Sequence, residues 1–130
     1  MSLLVELAAW VVAQGHGTAV GTDVFRGNLP PTPDAAIGLV GTGGGPSVRS
    51  FGRVEWMQPT VQVFVRRTTQ DAAEAAAYAL WTTFAAMTAQ SLSGTAYRGA
   101  TPIQPPYEFE TDDRERVVYA FNVELIRAGN

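Results

Sequence analysis

The sequence predicts an α+β domain: a mixed, mostly antiparallel β-sheet with two helices packed on one face, in the order α-β-β-β-α-β-β. Three observations predict it. Residues 3–14 and 70–88 repeat apolar side chains at helical spacing. Val61, Val63 and Val65, and later Val117, Tyr119, Phe121, Val123 and Leu125, alternate with period two. Glycine- and proline-rich breakers separate the strand candidates. At 130 residues the chain reads as one domain, 1–130, and a domain of that size buries roughly 65% of its unfolded surface.

The first helix is expected over 3–14, with Leu3, Leu4, Leu7, Ala8 and Val11 on one stripe. Ser2 is its N-cap, and Gly15-His16-Gly17 stops it. Trp10 and Val12 fall beside the stripe, so more than one face is covered. The breaker-rich stretch from Gly15 to Pro33 contains one short strand, Thr22 to Arg26, closed by Gly27-Asn28-Leu29-Pro30-Pro31. Ala35 to Val40 forms the second strand. The run GTGGGPSVRS follows at 41–50 and leads without periodicity to Trp56 and Met57. A flexible, irregular loop is expected at about 41–58, because Gly43, Gly44 and Gly45 give the chain freedom and no side chain to anchor.

From Pro59 the alternation reads as a strand with one face toward the core. Thr68, three residues before Asp71, signals a helix start with a carboxylate in the first turn. That helix runs to about Thr88 with Ala73, Ala77, Leu80, Phe84 and Met87 as its stripe; Ala72, Ala75, Ala79 and Ala86 lie opposite. Ser91 to Gly94 turns the chain. Two last strands, about Ala96 to Gln104 and Arg116 to Arg127, are joined by Pro105-Pro106 and an acidic turn from Glu108 to Glu115.

Composition excludes several functions. Hydrophobic residues make up 46% of the chain and charged residues 16%, which favours an oligomer over a fully solvated monomer surface. No apolar run approaches the roughly 18 residues of a membrane span. The start carries Glu6 and no basic region, unlike a secretory signal. Without cysteine there are no disulfides, thiolate catalysis or cysteine metal sites. Every basic residue is arginine; without lysine there is no Schiff-base chemistry and no phosphate-loop lysine. The net charge of −3 argues against a nucleic-acid binder, and Arg66-Arg67 is too small a patch to reverse it.

The individual candidates for chemistry fail on spacing. In the glycine run, Pro46 stands where a dinucleotide fingerprint counted from Gly41 needs glycine, and Val48 where one counted from Gly43 does. His16 is the single histidine and has no metal-ligand spacing around it. A Ser-His-Asp set with Asp23 lacks the G-x-S-x-G elbow. The acidic run Glu108, Glu110, Asp112, Asp113, Glu115 is interleaved with Arg114 and lacks calcium-loop spacing, so it reads as a solvated turn. Trp10, Trp56, Trp81, Tyr78 and Tyr107 read as core or subunit-interface packing. No catalytic residue, cofactor or metal site is expected.

The order of motifs carries more than any one of them. The chain resembles the minor capsid or tail terminator (tail completion) proteins of long-tailed bacteriophages along nearly its whole length. The matching pieces are Phe25-Arg26-Gly27-Asn28-Leu29-Pro30, Gly43-Gly44-Gly45, Pro59 to Val63, Ala75 to Trp81 and Tyr119 to Ile126. The resemblance implies a non-enzymatic virion protein that assembles in the host cytoplasm. Its implied form is a self-associated ring, commonly a hexamer, that caps the tail tube protein and docks to the head connector or neck protein. DNA would only pass through the lumen, which a net-negative subunit suits, and no membrane is involved. A head-completion protein, neck adaptor or tube-like subunit of the same particle is the neighbouring alternative; a small-ligand or enzymatic domain is the distant one. Gly43, Gly44, Gly45, Arg49, Arg53, Trp56 and Met57 are the expected assembly residues, with Trp56 and Met57 as anchors.

Overall fold

Two strands with matching apolar alternation meet at the centre of the sheet and organise the rest. The computed structural model describes residues 2–50 and 53–129, with residues 45–50, 53 and 54 described by backbone alone. In chain order the elements are α1 (Leu3–Ala13), β1 (Val24–Arg26), β2 (Ala36–Ser50), β3 (Arg53–Arg67), α2 (Gln70–Ala85), β4 (Gln90–Leu92), β5 (Thr95–Pro102), β6 (Tyr107–Thr111) and β7 (Val117–Ala128). The predicted α+β class and element order are met, with β4 and β6 as additions. The sheet runs β1-β2-β3-β7-β5-β4, and β6 pairs with β7 beside β5. Only the β1–β2 pair is parallel.

The β3–β7 register sets Val61, Val63 and Val65 opposite Val123, Phe121 and Tyr119. One face of the sheet therefore carries the apolar set, and both helices lie on it. Leu7, Ala8 and Val11 of α1 and Ala73, Ala77, Leu80 and Phe84 of α2 are fully buried in the same cluster. Trp10 and Phe84 join the helices, with ring centroids 5.0 Å apart, and Phe84 meets Phe121 on the sheet at 6.0 Å. Each such aromatic or aliphatic side chain adds about 1.5–3 kcal/mol by leaving water.

Ser2 caps α1 through its side chain as expected. The cap of α2 is Thr69, one residue later than the expected Thr68; its hydroxyl accepts the Ala72 N–H at 3.2 Å. The helix ends at Ala85, short of Thr88, yet Met87 still packs into the core. Gln90 to Leu92, expected to enter a turn, pairs with β5 through a two-residue hairpin at Ser93-Gly94. Both hairpin residues have positive φ, 50° and 86°, which matches the right-handed strand twist. The acidic segment forms strand β6 at 107–111 before its turn, a correction to the single turn expected over 108–115. A strand that is exposed on all five residues has no buried alternation to betray it.

The largest correction concerns residues 41–58. The expected irregular loop is instead a hairpin arm in which β2 and β3 pair from Ala36↔Arg66 outward to Ser50↔Arg53; residues 51 and 52 lie outside the described residues. The glycines serve strand approach. Gly43 sits at a register shift with φ 99°, and a Cβ on Gly44 would overlap the Gln58 carbonyl oxygen. Glycine has no side chain to display period two, so this strand was invisible to pattern reading.

A buried polar cluster fixes α1 to the far side of the sheet. Glu6 is 1% exposed. Its Oε1 accepts from the Tyr97 hydroxyl at 2.7 Å and from Arg127 Nε at 3.1 Å, and its Oε2 accepts from Thr95 Oγ1. Burial pushes the carboxyl pKa up, but the hydrogen bonds from Thr95, Tyr97 and Arg127 outweigh it and hold the group below 4.5. Burial and the neighbouring carboxylate together push the Tyr97 hydroxyl up.

Gly44→Ala destabilises the arm by about 1–3 kcal/mol, read by amide hydrogen exchange along 40–44 and 58–62. Gly41→Ala, where a Cβ meets nothing within 4 Å, stays within about 0.5 kcal/mol of the parent. Glu6→Gln lowers stability at pH 7 by about 1–3 kcal/mol. A depressed carboxylate stabilises fully above its unfolded pKa and loses that contribution as pH falls through the folded value. The gap between parent and variant urea midpoints is therefore constant near neutral pH and closes as pH falls through the acidic carboxylate range.

Candidate assembly surface

With helices on one face, the opposite face of the sheet is open. It is built from the even-numbered residues of β3 and their partners: Gln62, Phe64 and Arg66 stand opposite Asn122, Ala120 and Val118. The connection from β1 to β2 crosses this face. Leu29 lies over Gly38, where a Cβ would meet its side chain at 3.0 Å, so glycine is what lets the crossing pack down. Two nearly buried arginines tie the crossing in place. Arg66, 3% exposed, donates Nε to the Asp34 carbonyl at 3.1 Å and also donates to the Pro33 carbonyl. Arg116, 5% exposed, donates to the Pro31 carbonyl and pairs with Asp34 at 3.2 Å and Asp112 at 2.8 Å.

Asp112 turns inward to organise the last turn. Its Oδ1 accepts the backbone N–H of Arg114 at 3.0 Å and of Arg116 at 2.9 Å. Desolvation raises its pKa, but the bonds from Arg116 and Arg114 together outweigh that and lower it. For Arg66, burial and the nearby Arg116 guanidinium push the pKa below the usual arginine range. Arg66-Arg67 is thus a structural pair: Arg66 is spent on the crossing, and Arg67 donates to the Arg66 carbonyl at 2.8 Å.

Between the crossing and β6 runs a groove of about 530 Å³, walled by Leu29, Pro30, Phe64, Phe109 and Val118 and rimmed by Arg114 and Asp113. Phe109 stacks edge-on against Phe64 at 5.0 Å and neighbours Tyr107 at 6.5 Å. Tyr107 also receives a hydrogen bond from Gln62 at 3.4 Å. Apolar walls with a mixed charged rim suit protein contact. No group of three metal-ligating side chains occurs among the described residues. His16 Nε2 meets Thr83 Oγ1 at 2.7 Å, a bond from the post-helix loop to α2. Burial, then Arg67, lowers its pKa.

The expected assembly residues line the arm and do not gather at one point. Gly43 and Gly44 lie in β2, Gly45 pairs with Gln58, and the backbones of Arg49 and Arg53 pair with those of Val54 and Ser50. Trp56 is half-buried under the Arg98 guanidinium, 4.2 Å from its ring centroid. Met57, 37% exposed, follows it in the strand and so points to the other face. The two lie on different faces. Sequence reading missed half-buried Phe64 and exposed Phe109 as groove aromatics. The pattern YEFE, two aromatics alternating with two glutamates next to a double proline, was the available signal.

The α+β fold presents an open sheet face, a hairpin arm and an apolar groove. Residues 12–128 match the family model of the bacteriophage tail terminator protein. The chain belongs to that family, and with it to the structural proteins of phage tails in the virion. Four solved chains match it in structure. One superposes with a TM-score of 0.53 at 19% identity, covering 92% of this chain and 87% of the other, a likeness of fold alone. No curated protein matches. No helix among the described residues is long and apolar enough to cross a membrane.

Arg116→Ala removes the charged hydrogen bonds to Pro31, Asp34 and Asp112, a loss of at least about 1.5 kcal/mol. Proteolytic nicking within 28–34 should then accelerate roughly tenfold or more, and the melting temperature should fall by several degrees.

Proposed function

We propose that this protein ends the phage tail. Copies form a closed ring, six-fold by the pattern of its family, that seats on the last ring of the tail tube protein and offers its other side to the head connector. DNA passes through the lumen, and assembly takes place in the host cytoplasm. The family match over residues 12–128 carries this reading. A head-to-tail interface closes into a ring when its rotation divides the circle, and an apolar chain with few charges gains most from burying such surface. The role is structural, with no chemistry assigned to any side chain.

The test is genetic and visual. Phage carrying a stop codon in this gene should make tails of irregular, extended length that fail to join heads in negative-stain electron microscopy. Tails of normal length joined to heads would overturn the proposal.

A further inference from the structure

The fold leaves its exposed apolar side chains unevenly distributed. Six large ones stand out among the described residues, and three of them, Ile103 at 56%, Tyr107 at 39% and Phe109 at 46%, fall within seven residues. These surround β6, which is exposed throughout and pairs with β7 on one side only. An unpaired edge of this kind is a template for another strand, and charges usually blunt it. Glu108 and Glu110 supply charge, but the aromatics alternating with them are what interface cores enrich.

A second free edge lies at the opposite corner of the sheet. β1 covers β2 only at Ile37 to Leu39, so Val40 to Ser50 has no strand on its outer side among the described residues. β6 pairs with β7 at residues 117–120, the base of the sheet, whereas the arm departs where Trp56 meets Ala128, its top. The charges are complementary. β6 holds two glutamates and no cation, while residues 41–58 hold Arg49 and Arg53 against the single Glu55.

We infer that β6 of one copy pairs with the β2 edge of the arm, residues 40–50, of the next copy, continuing the sheet across the subunit boundary. This rests on the ring reading above and names the surface that closes it. Both halves of the contact belong to one chain at two different places, so the contact is head-to-tail and propagates around a ring. The symmetric alternative, two β6 edges pairing together, would set Glu108 and Glu110 against their own copies.

Charge exchange tests the assignment. Glu108→Arg with Glu110→Arg, or Arg49→Glu with Arg53→Glu, should raise the concentration for half-assembly roughly tenfold or more, measured by native mass spectrometry and sedimentation, alone and with purified tube protein. Combining all four substitutions in one chain should restore assembly. The absence of native cysteine allows an independent readout. Thr42→Cys with Phe109→Cys in one chain should give an oxidised ladder beyond the dimer, whereas each single variant stops at the dimer. Rings that persist unchanged in both reversals, or a double-cysteine chain without a ladder, overturn this surface and leave the ring reading standing. A parent protein that stays monomeric even with the tube protein overturns both.

Discussion

The pairing of β3 with β7 is the constraint from which the other contacts follow. Their register places Val61, Val63 and Val65 against Val123, Phe121 and Tyr119, so a single apolar stripe faces one way. Because side chains in a strand alternate with a period of two, a slip of one residue would turn that whole stripe to solvent. Both helices need the stripe as their floor, and their own junction at Trp10 and Phe84 forms only because Phe121 lies beneath Phe84. The strands at each edge, β1 and β2 on one side and β5, β4 and β6 on the other, extend a platform whose orientation is already settled.

Polar contacts then lock what the apolar stripe positions. On the helix face, Glu6 is surrounded by Thr95, Tyr97 and Arg127, which joins the first helix to strands near the end of the chain. On the open face, Arg66 and Arg116 hold the β1–β2 crossing through its backbone carbonyls. Arginine suits this work because its planar fork can satisfy several carbonyls at once and remains charged when buried. The open face is thereby divided. One part is sealed by the crossing, and the rest, from Phe64 to Phe109 and Tyr107, forms the groove wall.

Around the groove, Asp112, Arg66 and Arg116 are engaged with the last turn and the crossing. What the surface offers is shape: two strand edges, exposed aromatics and a projecting arm.

The sequence by itself determined the fold class, the element order, both helix stripes and the inward set of β3 and β7, because periodicity is a local property of side chains. It also carried the tail terminator resemblance through the order of its motifs. Only the tertiary structure decided what became of GTGGGPSVRS. Its glycines carry no periodic signal, yet Gly44 is needed because the Gln58 carbonyl lies where a side chain would be. The same holds for Glu6, Arg66 and Arg116, whose partners lie 32 to 121 residues away for all but Asp112. Local pattern cannot report a contact made across the sheet, and it is those contacts that separate the buried charges from the surface left open.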